Sequence, residues 1–170
     1  MLGDINYAFV EMLRRFRALN FRFGFISDQR GLYAGSPGRS EAATLIGMLD
    51  ELLSIDGALP DFWMACAPSQ RSGTELQHRL DQQIEPDAST ILQTIEWYEV
   101  DKGNCVFVSS SSAGIRAAEE SQVVGIQYSG WQGDMRAEAR GLASPVGITD
   151  IQQLGAKIQE IVVLRHRRTA

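Results

Sequence analysis

The sequence predicts an α/β domain, a three-layer, doubly wound (Rossmann-like), mostly parallel sheet. Two observations predict it. Segments with apolar residues at helical spacing alternate with short apolar runs bounded by turn residues. Strands separated by helices pair in parallel through crossovers rather than hairpins. A third observation sets the scale: 170 residues with 44% apolar content suffice for one domain, residues 1–170, with its own core.

The elements follow in order. Asp4 is positioned to cap a helix whose inward stripe is Ile5, Phe9, Met12, Leu13 and Phe16, and Asn20 ends it. "FRFGFISD" then reads as a buried strand over Phe21–Ser27. The glycines and proline of "GLYAGSPGRS" make a loop. Ser40 should cap a second helix with Leu45, Ile46, Leu49, Leu52 and Leu53 inward, and "DFWMACA" reads as the second strand. "PSQRSGTELQHRLDQQIEP" has no clean period and reads as loop with one helical turn. Pro86 and Asp87 open a third helix through Ile91, Leu92, Ile95 and Tyr98. "CVFVS" is the third strand, "AGIRAAEES" a short helix and "VVGIQY" the fourth strand. After the irregular "GWQGDMRAEARGLASP", Thr149 should cap a last helix with Ile151, Leu154, Ile158, Ile161 and Val162 inward. The aromatic pairs Phe62–Trp63 and Trp97–Tyr98 read as core or helix packing, and Trp131 as loop packing.

Composition narrows the function classes. A net charge of −5 gives no general attraction to nucleic acid, and the basic cluster Arg165, His166, Arg167 and Arg168 reads as a solvated tail. Two cysteines, Cys66 and Cys105, stand far apart without metal spacing, which fits a reducing, cytoplasmic compartment. No apolar run reaches membrane-spanning length, and the first residues lack a signal-peptide pattern.

Two stretches carry a resemblance. The run Ser27, Asp28, Gln29, Arg30, Gly31, Leu32, Tyr33, Ala34, Gly35 follows a strand. It resembles the Thr-Asn-Gln-Ser-Gly-Ile-Ala-Arg-Gly of haloacid dehalogenase superfamily phosphatases, in the histidinol-phosphate and heptose-bisphosphate phosphatase branch. "VFVSSSSAGIRAAEESQVVGIQYSG" resembles the fourth motif of that family, Val-Gly-Asp-Ser-x-x-Asp-Ile-x-Ala-Gly. The likeness covers nearly the whole chain. It implies a haloacid-dehalogenase-like fold with anion-binding positions at Ser27, Asp28, Gln29, Ser109, Ser110 and Ser111.

The resemblance also implies losses. Family members attack phosphate with an aspartate of an Asp-x-Asp motif ending the first strand. This chain begins at the helix after that strand, and Asp4 is its only early aspartate. The family's phosphate-holding lysine aligns with Ile84–Glu85–Pro86, and its magnesium aspartates with Ser110 and Gly114. Of the zinc loop in the heptose-phosphatase branch only Cys66 remains, and His78 in the same loop has no partners. No catalytic residue and no metal or other cofactor is therefore expected. Neutral hydroxyls do not offset the charge of a phosphoryl group as magnesium does.

The expected function is a degenerate phosphatase-like domain with a binding, regulatory or assembly role. Its expected partners are a phosphate or phosphorylated small molecule, or a second copy or other protein. Two alternatives are an active phosphatase whose first strand lies outside this chain, and altered chemistry by the serines. The bland reading of the tetraserine is that one serine caps the helix. In the resembled family the nucleophile-bearing strand lies between those of the second and fourth motifs; without it, the strands at Phe21–Ser27 and Cys105–Ser109 are expected to pair directly and close the sheet, with dimerisation and an N-terminal extension outside this chain the alternatives.

Overall fold

A computed structural model describes residues 7–27, 39–65, 86–130 and 147–169. Five helices alternate with four short strands: α1 (Tyr7–Ala18), β1 (Gly24–Ser27), α2 (Arg39–Ile55), β2 (Phe62–Ala65), α3 (Ala88–Trp97), β3 (Val106–Ser109), α4 (Ser112–Glu120), β4 (Val124–Gln127) and α5 (Ile151–Thr169). The α/β class and the element order agree with the sequence.

Helix α1 forms because Val10, Met12, Leu13 and Phe16 make one buried stripe, each contributing about 1.5–3 kcal/mol when removed from water. Asn20 ends it in the left-handed region, at φ 58°, where asparagine is better tolerated than most residues. Gly57 does the same for α2 at φ 68°, and the amide of Ala58 returns to Leu53 O (2.7 Å). Asp87 caps α3 as expected, its carboxylate accepting from the Thr90 amide (2.9 Å).

β1 pairs with β2 in parallel, Gly24 opposite Phe62 and Ser27 opposite Ala65. β3 pairs with β4 in parallel, Val106 opposite Val124 and Ser109 opposite Gln127. Among the described residues these are two separate two-stranded sheets. Among the described residues no backbone hydrogen bond joins β1 to β3, which corrects the expected direct closure.

Both sheets nevertheless feed the same two apolar clusters. The first joins the buried stripes of α1 and α5 and Leu53 of α2 to Ile126 and Tyr128, with Phe25 of β1 and Val106 of β3 against it. The second joins Ile91 of α3, Ala117 and Ala118 of α4 and Val123, with Ile26 of β1 and Phe107 of β3 against it. Successive residues of β1 and β3, Phe25 and Ile26 and Val106 and Phe107, thus point to opposite clusters, as the period of a strand requires.

Several boundaries and orientations differ from expectation. β1 and β3 start at Gly24 and Val106, not at Phe21 and Cys105. α2 begins at Arg39, so Ser40 lies in its first turn instead of capping it. Leu45 (49% exposed) and Leu52 (39%) face outward with Met48 and Ile55, while among the described side chains of α2 Leu53 alone is fully buried. On α3, Leu92 is exposed because Thr90 and Thr94 take the inward stripe. Both hydroxyls are satisfied locally, Thr90 donating to Asp87 (2.9 Å) and Thr94 to Thr90 O (2.8 Å). Asp150, not Thr149, caps α5, its carboxylate accepting from the Gln153 amide (2.8 Å). Trp97 is 66% exposed and not core. Phe62 instead stacks on Tyr98 (centroids 4.7 Å apart), and Trp63 on Phe25 (4.8 Å), with its indole N–H donated to Asp50 (2.7 Å). Asp4, Cys66, His78 and Trp131 lie outside the described residues.

The amino ends of β1 and β2 are tied by a polar clamp. The Asp61 carboxylate accepts from the Phe23 amide (2.8 Å) and from Arg17 Nη1 (2.9 Å). The Arg17 guanidinium also donates to Leu59 O and lies 4.7 Å from the centre of the Phe23 ring. No helix among the described residues is long and apolar enough to cross a membrane.

Candidate functional site

Ligands of open α/β sheets bind beyond the carboxyl ends of the strands. Those ends are Ser27 on β1 and Ser109 on β3, and β3 runs through the tetraserine into α4. The turn is tight because the serines bond one another. Ser111 stands just outside the helix with extended backbone (φ −105°, ψ 149°), and its hydroxyl accepts from the Gly114 amide at 3.0 Å. The Ser111 amide donates to Ser109 Oγ at 3.1 Å, and the two hydroxyls lie 3.3 Å apart. Ser111 is thus the N-cap of α4, the bland reading of the tetraserine. Ser110 is exposed on the outside of the turn.

Behind the turn, Gly114 is buried in the first turn of α4. A Cβ at this position would fall on Ser109 Oγ and lie 2.7 Å from Ser109 Cβ and 3.3 Å from Ser111 Oγ. The helix sits that close because Gly114 has no side chain. An aspartate does not fit at position 114 without displacing β3 or α4. α4 is also pressed onto β4, where a Cβ on Gly125 would touch Ala118 (3.2 Å) and Ile115 (3.4 Å).

Of the six positions singled out in the sequence, the structure joins Ser109 and Ser111 by hydrogen bonds and places Ser110 beside them. The backbone of Ser27 closes β1, and Asp28 and Gln29 lie outside the described residues. Among the described residues no group of three or more His, Cys, Asp or Glu side chains is arranged to hold a metal.

Among the described residues two titratable groups are displaced from their ordinary range. Burial pushes the Asp87 carboxyl up, but hydrogen bonds from the Ser89 hydroxyl and the Thr90 amide and hydroxyl outweigh it, leaving the group below the usual carboxylate value. Burial, and secondarily the charge of Asp150, push the Tyr128 phenol up. Neither residue lies in the turn. Sequence reasoning missed Gly114 as the residue that sets the closeness of α4 to β3; a glycine in the first turn of a short helix was the available signal.

No protein-family model, no curated protein and no solved structure matches this chain.

Proposed function

We propose that this chain is a haloacid-dehalogenase-like domain in which the phosphoryl-transfer site has been dismantled, and that it acts in the cytoplasm as a binding or assembly module. In this reading the helices lie on both faces of one doubly wound sheet. The observation that carries it is the packing at Gly114. Its position corresponds to a magnesium aspartate in the resembled family, and here it is filled by the side chain of Ser109. Ser110, at the other metal position, carries a neutral hydroxyl in solvent.

A weak anion site at the same turn is the retained chemistry. The amides of the first turn of α4 lie at the positive end of the helix and Ser110 is accessible beside them, so a phosphate or phosphorylated small molecule is the ligand class. A second copy or another protein is the partner in the assembly form of the reading.

A phosphatase assay tests this directly. The purified chain, incubated with a generic phosphomonoester and magnesium, should release phosphate no faster than a protein-free blank. Turnover that is lost on Ser110→Ala or Asp4→Ala would mean that the motifs are misassigned. Metal-dependent turnover surviving both changes would put the site elsewhere in the chain.

A further inference from the structure

We infer that the outer face of α2 is a docking surface for another protein, and that it takes an amphipathic helix with Lys or Arg along its flanks. The inference uses no residue of the serine turn, so it stands or falls independently of the function proposed above.

Helix α2 is amphipathic twice over. One stripe faces the core: Leu53 is buried in the first cluster, and Ile46 and Leu49 are half-buried. The other is Leu45 (49% exposed), Met48 (45%), Leu52 (39%) and Ile55 (78%). Single apolar side chains are normal on any protein surface, but these four follow one another at intervals of three, four and three residues. That is the alternation of positions a and d in a heptad, which lines a narrow seam along a helix. From Leu45 to Ile55 the seam is about 15 Å long at 1.5 Å per residue. It matches the side chains of one further helix, knobs into holes, whereas an extended strand with its period of two does not follow it. The surface beside it is open, since a Cβ on Gly47 would meet nothing within 4 Å.

Charge selects the partner. Between Ser40 and Asp61 the sequence has no Lys, Arg or His, while Asp50, Glu51 and Asp56 are all acidic. Asp50 lies off the seam and accepts the indole N–H of Trp63 (2.7 Å). Glu51 and Asp56 are exposed, Glu51 at the flank of the seam and Asp56 just past its end. The last turn of α2 has no basic residue to offset the negative end of the helix. A second copy therefore fits poorly. Two α2 seams packed antiparallel about a two-fold axis bring Glu51 against Glu51, and packed parallel they bring Glu51 against Asp56. Lys or Arg at the flanking positions of a different helix turns these repulsions into ion pairs and complements the helix end. The contact is short, with four seam side chains, which places it among weak and transient interfaces.

Peptide titration tests the inference. The probes are two fluorescein-labelled peptides of three heptads, both with leucine at a and d. One carries lysine at e and g, the other glutamate, and repulsion between like flanks keeps each peptide from pairing with itself. Fluorescence anisotropy at physiological ionic strength should give saturable binding of the lysine peptide with a Kd of roughly micromolar order, and binding of the glutamate peptide about tenfold weaker or less. Leu45→Gln combined with Ile55→Gln should weaken the lysine peptide by roughly tenfold or more. Both side chains are exposed and glutamine is a good helix former, so urea unfolding and sedimentation of this variant should match the parent. Glu51→Lys should exchange the preference, weakening the lysine peptide and strengthening the glutamate peptide. Absence of saturable binding, equal binding of the two peptides, or binding of the lysine peptide that survives Leu45→Gln with Ile55→Gln would each overturn the inference. So would a dimer of the parent chain that these two substitutions dissociate, since it would assign the face to a second copy.

Discussion

Gly114→Ala isolates the contact on which the functional reading depends. At an ordinary helix position this change stabilises by about 0.5–1 kcal/mol, because glycine forfeits more backbone freedom on folding. Here the new methyl falls on Ser109 Oγ and lies 2.7 Å from Ser109 Cβ, against an optimum of about 3.5–4.0 Å between carbons. Moving Ser109 Oγ aside breaks its bond from the Ser111 amide, a loss of about 1 kcal/mol. Separating Ser109 Cβ from the methyl forces a shift of β3 or α4, with an overpacking cost of about 1–3 kcal/mol. The net is a destabilisation of about 2 kcal/mol, or roughly 4–8 °C in Tm for a chain of this length. Urea and thermal unfolding measure it. In a Ser109→Gly background, where both Oγ and Cβ are gone, the same change should be neutral or stabilising, giving a coupling of about 2 kcal/mol. A Gly114→Ala protein as stable as the parent, or a cycle without coupling, would refute the packing argument and with it the exclusion of an aspartate at this position.

Two further outcomes are expected. Asp87→Ala should cost about 1 kcal/mol at neutral pH through loss of the α3 cap. The folded carboxyl titrates below its unfolded value of 3.8, so its contribution is present above that pH and disappears as pH falls through the folded pKa. Unfolding curves of parent and variant should therefore converge in acid below about pH 4, and a constant offset down to pH 2 would contradict the assignment. Asp61→Ala should cost about 2 kcal/mol, since it leaves the Phe23 amide and one arm of Arg17 without their acceptor. In that background Arg17→Ala should cost less than in the parent, and additive losses in urea unfolding would deny the clamp.

The sequence is informative where one residue decides the outcome. Asp87 and Asn20 read correctly because a side-chain acceptor at a helix start and a left-handed stop are local chemistry. The strand positions read correctly because short apolar runs between helices have few other uses. α2 misleads because it is apolar on two stripes. Leu45, Met48, Leu52 and Ile55 lie at helical spacing, and so do Ile46, Leu49 and Leu53; only the folded core selects the second. Thr149 and Asp150 are equally good caps by type, and a difference of one residue in the turn decides between them. At the site, Ser111 as a cap was legible from the serines before a helix. The split between β1 and β3 was not, because strand pairing is a long-range property that no local pattern encodes. Nor was the approach of Ser109 to Gly114, which depends on how α4 docks on both β3 and β4.

The central proposal is that the carboxyl ends of β1 and β3 form no divalent-metal site, and a manganese titration tests it most directly. Manganese substitutes for magnesium at oxygen sites, and its electron paramagnetic resonance signal in water falls when the ion is bound by protein. Titrated into the purified chain at physiological ionic strength, manganese should retain the signal of the free ion, apart from weak uptake that salt abolishes. Loss of one equivalent of free signal at submillimolar manganese, reversed by magnesium and absent in Ser110→Ala, would contradict the account.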